Sequence, residues 1–249
     1  MDFNYNESKK RIIDILSSKT EIEDVNSIPK NENEFTYDNG IKAWVGAMFI
    51  DIRNSTDFFK KNKEEKVARV MRAFCSELIA ILKQNDNYRQ IGIRGDCIYA
   101  IYSTPKQENL KEILRDSIFI NTFQKMFQSI LEQNNFPGFK IGIGLGTSKD
   151  LVIKAGKNNT GINDYIWIGN AVIDASKLSG QGNKNGFAPI VMDSCFYSNI
   201  KDRKANDSYT YDHYISQKYS SLICENVYHC DMISIDFNNW IEREFKYGK

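Results

Sequence analysis

The sequence predicts an α/β fold, specifically an α+β sandwich with the β-α-β-β-α-β order of ferredoxin-like proteins and a mostly antiparallel sheet. Three observations indicate it. Apolar runs of strand length alternate with amphipathic segments of helical spacing, a Gly-Asp pair marks a hairpin, and 249 residues with 41% hydrophobic side chains suffice for one large core. We expect a short N-terminal helical extension over residues 1–40 and the main domain over residues 41–249.

The extension contains one short amphipathic helix, predicted over about Ser8 to Ser17 because Ile12, Ile13 and Leu16 share a face. A polar stretch follows, and Asn39-Gly40 marks a turn at its end. We therefore expect the extension to be an appendage to the core.

A nearly continuous apolar run begins at Ile41 and ends in an acid, Asp51, which is typical of a strand buried on both faces. The next residues are polar, and Ser55 or Thr56 can cap a helix. Apolar residues then recur at spacings of three and four, which predicts one long helix on the sheet. These residues are Val67, Val70, Met71, Phe74, Leu78, Ile81 and Leu82.

The second half of the predicted core starts with a hairpin over Arg89–Tyr102, which turns at Gly95-Asp96. A second long amphipathic helix is predicted from about Gln107 to Gln133, followed by a strand over Lys140–Thr147. The remaining predicted elements are a strand-like segment at Tyr165–Ile168, a helix over residues 169–179, a flexible loop at 180–186 and strands at Ala188–Met192 and Val227–Ile235.

The charge balance limits the choice of partner. With 33 basic and 32 acidic side chains the net charge is +1, so no broad positive surface attracts nucleic acid or acidic membranes. The chain has no apolar run of about 18 residues, as a membrane span requires, and its start lacks the apolar run of a signal peptide. We therefore expect a soluble, cytoplasmic protein that uses a small molecule or a protein as partner, without nucleic acid or membrane.

Cysteine and histidine are too scattered for their usual catalytic roles. The five cysteines are odd in number and lack the close spacing of a zinc site, and the two histidines have no ligand pattern nearby. The sequence therefore argues against a His-based metal site and against a Ser-His-Asp triad.

The predicted function depends on two aspartates. Asp51 ends a buried strand and Asp96 lies at the tip of the next hairpin, so the predicted topology brings both carboxylates to one spot. Either acid alone is an ordinary strand-end or turn residue, whereas the pair supplies the hard oxygen ligands that suit Mg²⁺ or Mn²⁺ with a nucleoside triphosphate. The segment with Arg53, Asn54 and Ser55 then opens a helix, whose free N–H groups favour phosphate oxygens.

Four successive motifs resemble those of class III nucleotidyl cyclase catalytic domains. They are FIDIRNST (49–56), IRGDCIYAIY (93–102), IGIGLG (141–146) and IWIGNAVIDASKL (166–178), and the resemblance covers about residues 41 to 200. It implies a cyclase homology domain in which Asp51, Asp96 and the backbone carbonyl of Ile52 hold two divalent metal ions, Mn²⁺ or Mg²⁺. The implied reaction is attack of the ribose 3′-hydroxyl on the α-phosphate, which yields a 3′,5′-cyclic nucleotide and pyrophosphate.

The resemblance also implies a homodimer with its sites at the interface. One subunit would give the metal aspartates and the other the helix that carries Lys177, which stands where the family has a catalytic arginine. Lysine keeps the charge but not the bidentate fork. The family's transition-state asparagine is Ile173 here, and nearby Asn170 either supplies the missing amide or caps the helix.

The residues that read a purine in this family are missing. The lysine four positions before the second metal aspartate is Gly92, the acid or threonine before the helix is Ile166, and the aromatic after the first metal aspartate is Ser55. The sequence around DIRNST and TYDNG is similar to that of the bacterial pyrimidine cyclases of Pycsar antiphage defence. That similarity implies UTP or CTP as the substrate and a separate effector protein that the cyclic nucleotide activates.

Two side chains are candidates for contact with the pyrimidine. Arg94 lies two residues before Asp96 on the same strand face, so its donors can meet a pyrimidine carbonyl oxygen; the alternative is a solvent-facing arginine. Phe49 lies two residues before Asp51 and either lines the sugar or base pocket or belongs to the core. Arg94 can donate to uracil and to cytosine alike, so UTP is chosen on the resemblance alone.

Two other functions stay open at this point. A purine cyclase would share the metal aspartates but should carry the missing lysine and acid. A degenerate cyclase-fold module would bind nucleotide without turnover, as Ile173 and Lys177 permit. A diguanylate cyclase is disfavoured because its glycine-acid signature loop is absent.

Overall fold

The computed structural model describes residues 3–156, 163–206 and 208–246. The strands are β1 Glu21–Asp24, β2 Asn39–Ile52, β3 Tyr88–Arg94, β4 Cys97–Ser103, β5 Ile141–Gly156, β6 Asn163–Ile168, β7 Ile190–Met192, β8 Ser216–Ser220 and β9 Glu225–Cys230. The α-helices are α1 Tyr5–Ser17, α2 Ser55–Lys61, α3 Glu64–Leu82, α4 Gln107–Gln133, α5 Asn170–Ser179, α6 Ser194–Ile200 and α7 Ile235–Lys246.

The described strands form one sheet with the neighbour order β3-β4-β2-β5-β7-β9-β8, while β1 pairs with β2 and β6 pairs with β5. The pairings β1–β2 and β5–β7 are parallel, and the other described ladders are antiparallel. The predicted α+β sandwich with a mostly antiparallel sheet is therefore confirmed.

The central strand β2 separates two apolar layers because its side chains alternate between the faces of the sheet. Met48, Ile50 and Ile52 point into the large core that α3 and α4 cover. Ala43, Val45 and Ala47 belong to a smaller core on the opposite face, where α5 packs. Phe49 and Asp51 have the parity of this second set, so they lie on the α5 face of the sheet.

Alternating glycines in β5 allow α5 to lie directly on the sheet. A Cβ atom on Gly142, Gly144 or Gly146 would come within 2.4 Å of a backbone oxygen of α5. The glycine-rich motif IGIGLG therefore has a packing role: it removes the side chains that would push the helix away from the strand.

The predicted hairpin and the second long helix are confirmed, the latter with the bounds Gln107–Gln133. The predicted single helix after Asp51 is wrong, because the chain is extended at Asn62 and Lys63 and so divides α2 from α3. Capping by Ser55 or Thr56 is also wrong. Asn54 precedes α2 in the left-handed conformation (φ 54°) and makes no side-chain cap bond.

Three further boundaries differ from the predictions. The strand expected to end at Thr147 continues to Gly156, because β5 goes on to pair with β2 and β6. The strand expected over Val227–Ile235 ends at Cys230, and Ile235 begins α7. Asn39-Gly40 is the start of β2 rather than a turn; the Asn39 side chain closes the preceding turn by hydrogen bonds to Thr36 and Glu34.

The N-terminal extension contains more than the predicted helix. α1 buries none of its residues, but β1 joins the sheet beside β2, and Ile28 and Phe35 are buried against the α5-face core. The division of the chain into residues 1–40 and 41–249 stays a prediction. Among the helices of the described residues, none has the length and apolar character needed to cross a bilayer.

Candidate active site

Two carboxylates meet at one end of the central strands. Asp51 is the penultimate residue of β2, and Asp96 lies in the turn between β3 and β4. Since β4 pairs with β2, with Ile50 opposite Ile98, both acids reach the same edge of the sheet. Burial raises the pKa of the Asp51 carboxyl, and the charge of Asp96 adds to the rise while that of Arg53 opposes it.

Arg53 ties this edge to the end of α5. Its guanidinium forms an ion pair with the Asp51 carboxylate, and its Nη1 donates to the Gly180 carbonyl at 2.5 Å. Its Nε is buried and has no hydrogen-bond partner among the described residues. Arg53 was expected to face phosphate; in this structure it pairs with Asp51, and its role toward phosphate stays a prediction.

The other residues predicted for the phosphate side stand next to Arg53. Ile52 has a buried side chain, so only its backbone can contribute to a metal site. Asn54 is exposed and, with Arg53, lines an open groove of about 550 Å³ that also contains Lys61 and Lys140. Ser55 is half-buried at the start of α2.

The residues present suit a divalent cation that is shared with a substrate. Asp51 and Asp96 offer adjacent carboxylate oxygens, the ligand type that Mg²⁺ and Mn²⁺ prefer. Within residues 3–156, 163–206 and 208–246, no group of three or more His, Cys, Asp or Glu side chains could hold a metal. A cation here would therefore complete its coordination with backbone carbonyl, water or phosphate oxygens.

A cavity of about 350 Å³ opens on the α5 face of the sheet, between the β3–β4 hairpin and β6. Its size is at the lower end of the range for small-ligand sites. Phe49 and Arg94 both line it, and their contact with a base stays a prediction; Arg94 is also exposed to solvent, and Phe49 also packs on the α5-face core. The remaining lining residues are Gln90, Cys97, Tyr99, Ile101, Asp164, Tyr165, Ile166, Trp167, Val172 and Ser176.

The Tyr99 side chain fills the space beside Gly92. The two residues are cross-strand partners in the β3–β4 ladder, and a Cβ atom on Gly92 would lie 2.4 Å from the Tyr99 ring. The Tyr99 ring also stacks on Phe49, with centroids 5.3 Å apart. A side chain at position 92, such as the lysine of purine cyclases, would have to displace the Tyr99 ring.

α5 presents three predicted positions to solvent. Asn170 is its first residue, Ile173 is 47% exposed, and Lys177 lies in its last turn. Gly169 is the N-cap and no side chain makes a cap bond from that position, so a capping role for Asn170 is wrong. The N–H of Ala171 instead donates to the Ser148 hydroxyl at 2.7 Å.

Sequence reasoning missed three polar residues of the cavity. The Trp167 indole N–H donates to Gln90 Oε1 at 2.6 Å, and Gln90 Nε2 donates to Asp164 Oδ1 at 2.8 Å. Strand alternation could have found Gln90, which shares the parity of Gly92 and Arg94. Nothing in the local sequence links it to Trp167 and Asp164, because β6 reaches the cavity only through its pairing with β5.

Comparisons with known proteins show the family and the fold. The model of the adenylate and guanylate cyclase catalytic domain matches residues 40–188. A uridylate cyclase from Treponema porcinum is 39% identical over 243 residues, which is 98% of this chain and 82% of that protein. A uridylate cyclase from Gulbenkiania mobilis is 30% identical over 252 residues, 96% of each chain. The crystal structure of the adenylyl cyclase CyaB from P. aeruginosa has a TM-score of 0.63 at 18% identity and covers 77% of this chain and 95% of that one.

The fold and the paired carboxylates at its central strands define a nucleotidyl cyclase domain of class III, which is a lyase. The chain belongs to the family of adenylate and guanylate cyclase catalytic domains.

Proposed function

We propose that this protein is a uridylate cyclase that converts UTP to 3′,5′-cyclic UMP and pyrophosphate. The observation that carries the proposal is the Tyr99 ring, which occupies the space beside Gly92 where a purine-reading lysine would stand. The names of the two uridylate cyclases, which align with nearly the whole chain, support the same substrate.

In this proposal Asp51, Asp96 and the Ile52 carbonyl hold two divalent ions, Mn²⁺ or Mg²⁺. When bound, such ions lower the pKa of the ribose 3′-hydroxyl and neutralise charge on the phosphates. Arg53 and Asn54, which line the groove that follows Asp51 in the chain, hold the phosphate side of the substrate together with the backbone at Ser55, where α2 begins. Their donors orient the triphosphate for in-line attack.

Phe49 and Arg94 hold the base in the cavity. Phe49 offers an apolar ring already stacked on Tyr99, so one wall of the cavity is flat and aromatic. Arg94 supplies only hydrogen-bond donors, which suit the carbonyl oxygens of a pyrimidine.

The active enzyme is a homodimer in which α5 of one subunit completes the site of the other. Within one subunit, Asn170 and Lys177 lie in α5 and are both exposed. This supports a role for Lys177, with Asn170, at the aspartates of a second subunit. Exposed isoleucines around the cavity supply an apolar contact surface: Ile93, Ile166, Ile168 and Ile173.

The dimer has a direct test. Asp51→Ala and Lys177→Ala subunits should each be inactive alone, whereas their mixture should regain part of the activity, since one site of each heterodimer keeps both groups. No recovery in a mixture whose subunits have exchanged, as seen by native mass spectrometry of one tagged chain, would contradict the shared site.

Substrate choice is tested by incubation of the purified chain with each of the four NTPs and Mn²⁺, followed by identification of the product by mass spectrometry. Cyclic UMP as the main product is expected. Cyclic AMP or cyclic GMP would establish a purine cyclase. Nucleotide binding without any cyclic product would establish a module without turnover, which the Arg53–Asp51 ion pair and the apolar Ile173 favour.

We further propose that the cyclic nucleotide acts in the cytoplasm as a second messenger of antiphage defence and activates a separate effector protein. The resemblance to pyrimidine cyclases of such systems supports this role. Infected cells that carry the wild-type chain should accumulate cyclic UMP and limit phage growth, and cells with Asp51→Ala should do neither. Equal phage growth in both strains, with the effector present, would reject the defence role.

A further inference from the structure

Gln90 projects into the cavity from the middle of β3, on the same strand face as Gly92 and Arg94. Its carboxamide is held at both ends. Trp167 Nε1 donates to its oxygen at 2.6 Å, and its nitrogen donates to Asp164 Oδ1 at 2.8 Å. The two partners come from β6, so the contact joins one wall of the cavity to the other.

These partners allow only one orientation of the amide. An indole N–H can only donate, so it must face the amide oxygen, and an ionised carboxylate can only accept, so it must face the amide nitrogen. Rotation of the amide by half a turn would place donor against donor and acceptor against acceptor. The oxygen and nitrogen of Gln90 therefore have fixed positions in the cavity.

The amide keeps hydrogen-bonding capacity for a ligand. After the two contacts, Nε2 has a second N–H and Oε1 has a second lone pair. Uracil presents an N–H donor at N3 between two carbonyl oxygens, whereas cytosine presents an acceptor at N3 beside an N4 amino donor. A free amide could rotate to match either base, and a fixed amide matches one.

We infer that Gln90, held in one orientation by Trp167 and Asp164, determines which pyrimidine this enzyme accepts. The inference rests on the proposed function, and with UTP as substrate the amide oxygen meets the N3 donor while the nitrogen meets a carbonyl oxygen. Gln90 is the residue that touches the base. Trp167 and Asp164 are positioning residues that act through Gln90.

Release of the amide is the most informative test. Asp164→Asn gives Gln90 a neighbour that can donate or accept, and Trp167→Phe removes the donor that fixes the oxygen. Each change removes one of the two contacts that select the orientation, so the rotated amide becomes easier to reach; CTP should gain turnover while UTP keeps most of its own. The ratio of kcat/KM for UTP to that for CTP should fall by about tenfold, because a mismatched site leaves a buried polar group unpaired.

Gln90→Glu tests the contact itself. A carboxylate cannot donate to a uracil carbonyl oxygen but can accept from the cytosine amino group, so UTP turnover should fall more than CTP turnover. Matched controls are Gln84→Glu, Asp86→Asn and Trp44→Phe, which lie outside the cavity lining and should leave the ratio unchanged. Thermal unfolding of each variant checks the fold. If Gln90→Glu does not fold, Asp164→Asn, which changes an exposed residue, still provides the test.

The measurement is competition between UTP and CTP at equal concentration with the full chain and Mn²⁺, with the cyclic products quantified by mass spectrometry. A brace between β3 and β6 without contact to the base would lower both products in the same proportion. An unchanged product ratio in the three cavity variants, with an active wild type, would overturn the role of Gln90 and leave the proposed function standing. A wild type that cyclises neither pyrimidine would overturn both.

Discussion

The two halves of the candidate site differ in how they are built. The carboxylate edge, formed by Asp51, Ile52, Arg53 and Asp96, consists of residues that lie within four positions of a strand end or turn. The base cavity draws its polar groups from the β3–β4 hairpin and from β6, which lies much further along the chain. The residues proposed to act on the phosphates therefore lie in short sequence motifs, whereas the residues proposed to select the base are brought together by contacts between strands.

Loss of a carboxylate should have the largest effect. Asp51→Ala and Asp96→Ala each remove an anionic metal ligand, and a metal contributes several kcal/mol to such a step, so cyclase activity should fall by about a thousandfold. The fold should persist, because neither side chain belongs to an apolar core. Activity is measured with UTP and Mn²⁺, and Asp14→Ala, which removes an exposed acid of α1, is the control. Near-normal turnover in either variant would disprove the metal role of that carboxylate.

The cavity half should respond to a change in shape. Gly92→Ala places a methyl group 2.4 Å from the Tyr99 ring, so the free energy of unfolding should fall by about 1–3 kcal/mol. Urea denaturation of the variant measures it.

The double variant Gly92→Ala/Tyr99→Ala separates this clash from a general intolerance of alanine at position 92. If the clash is the cause, Gly92→Ala should lower the free energy of unfolding much less in the Tyr99→Ala background. Equal costs in both backgrounds would show that Tyr99 does not exclude a side chain at this position.

The Arg53–Asp51 ion pair gives a smaller effect at the carboxylate edge. Arg53→Met frees the Asp51 carboxylate, so Mn²⁺ in the absence of nucleotide should bind about fivefold more tightly, as expected for a partly exposed pair worth about 1 kcal/mol. Calorimetric titration with Mn²⁺ measures the affinity. Arg69→Met, which breaks an exposed ion pair on α3, is the control and should leave Mn²⁺ affinity unchanged. Weaker binding to Arg53→Met would mean that Arg53 helps to shape the metal site.

The smallest expected effect is an increase in kcat. Lys177→Arg restores the planar fork that binds phosphate through two hydrogen bonds, so kcat should rise about threefold with little change in KM. Steady-state kinetics with UTP measures both constants, and Lys184→Arg is the control outside α5. A decrease in kcat would indicate that another side chain has taken over this role and that the longer arginine disturbs it.

The part of the fold that sequence predicted best has strong local signals. α4 shows its apolar spacing over its whole length, and the β3–β4 hairpin has a glycine with positive φ at its turn, Gly95. The division between α2 and α3 was missed because Asn62 and Lys63 are polar and disturb no apolar spacing. Ile235 was assigned to a strand because a single apolar residue fits both the period of a strand and that of a helix.

The same contrast holds for the site. Asp51 and Asp96 could be placed together from strand order alone, and the structure puts them at one edge. The ion pair of Arg53 with Asp51 could not be predicted because it depends on the direction of the Arg53 side chain, and the Gln90–Trp167 bond could not be predicted because it joins strands distant in sequence.

The contact of α5 with the glycines of β5 has a consequence for how this domain can diverge. Gly142, Gly144 and Gly146 contact the backbone of α5 and not its outward side chains. The position of α5 on the sheet therefore does not depend on which outward side chains it carries. Asn170, Ile173 and Lys177 can therefore be exchanged by mutation without any repacking of the sheet. α5 can therefore keep its place on the sheet with Ile173 and Lys177 at the positions where the resemblance implies an asparagine and an arginine, and its outer face can change at little cost in stability.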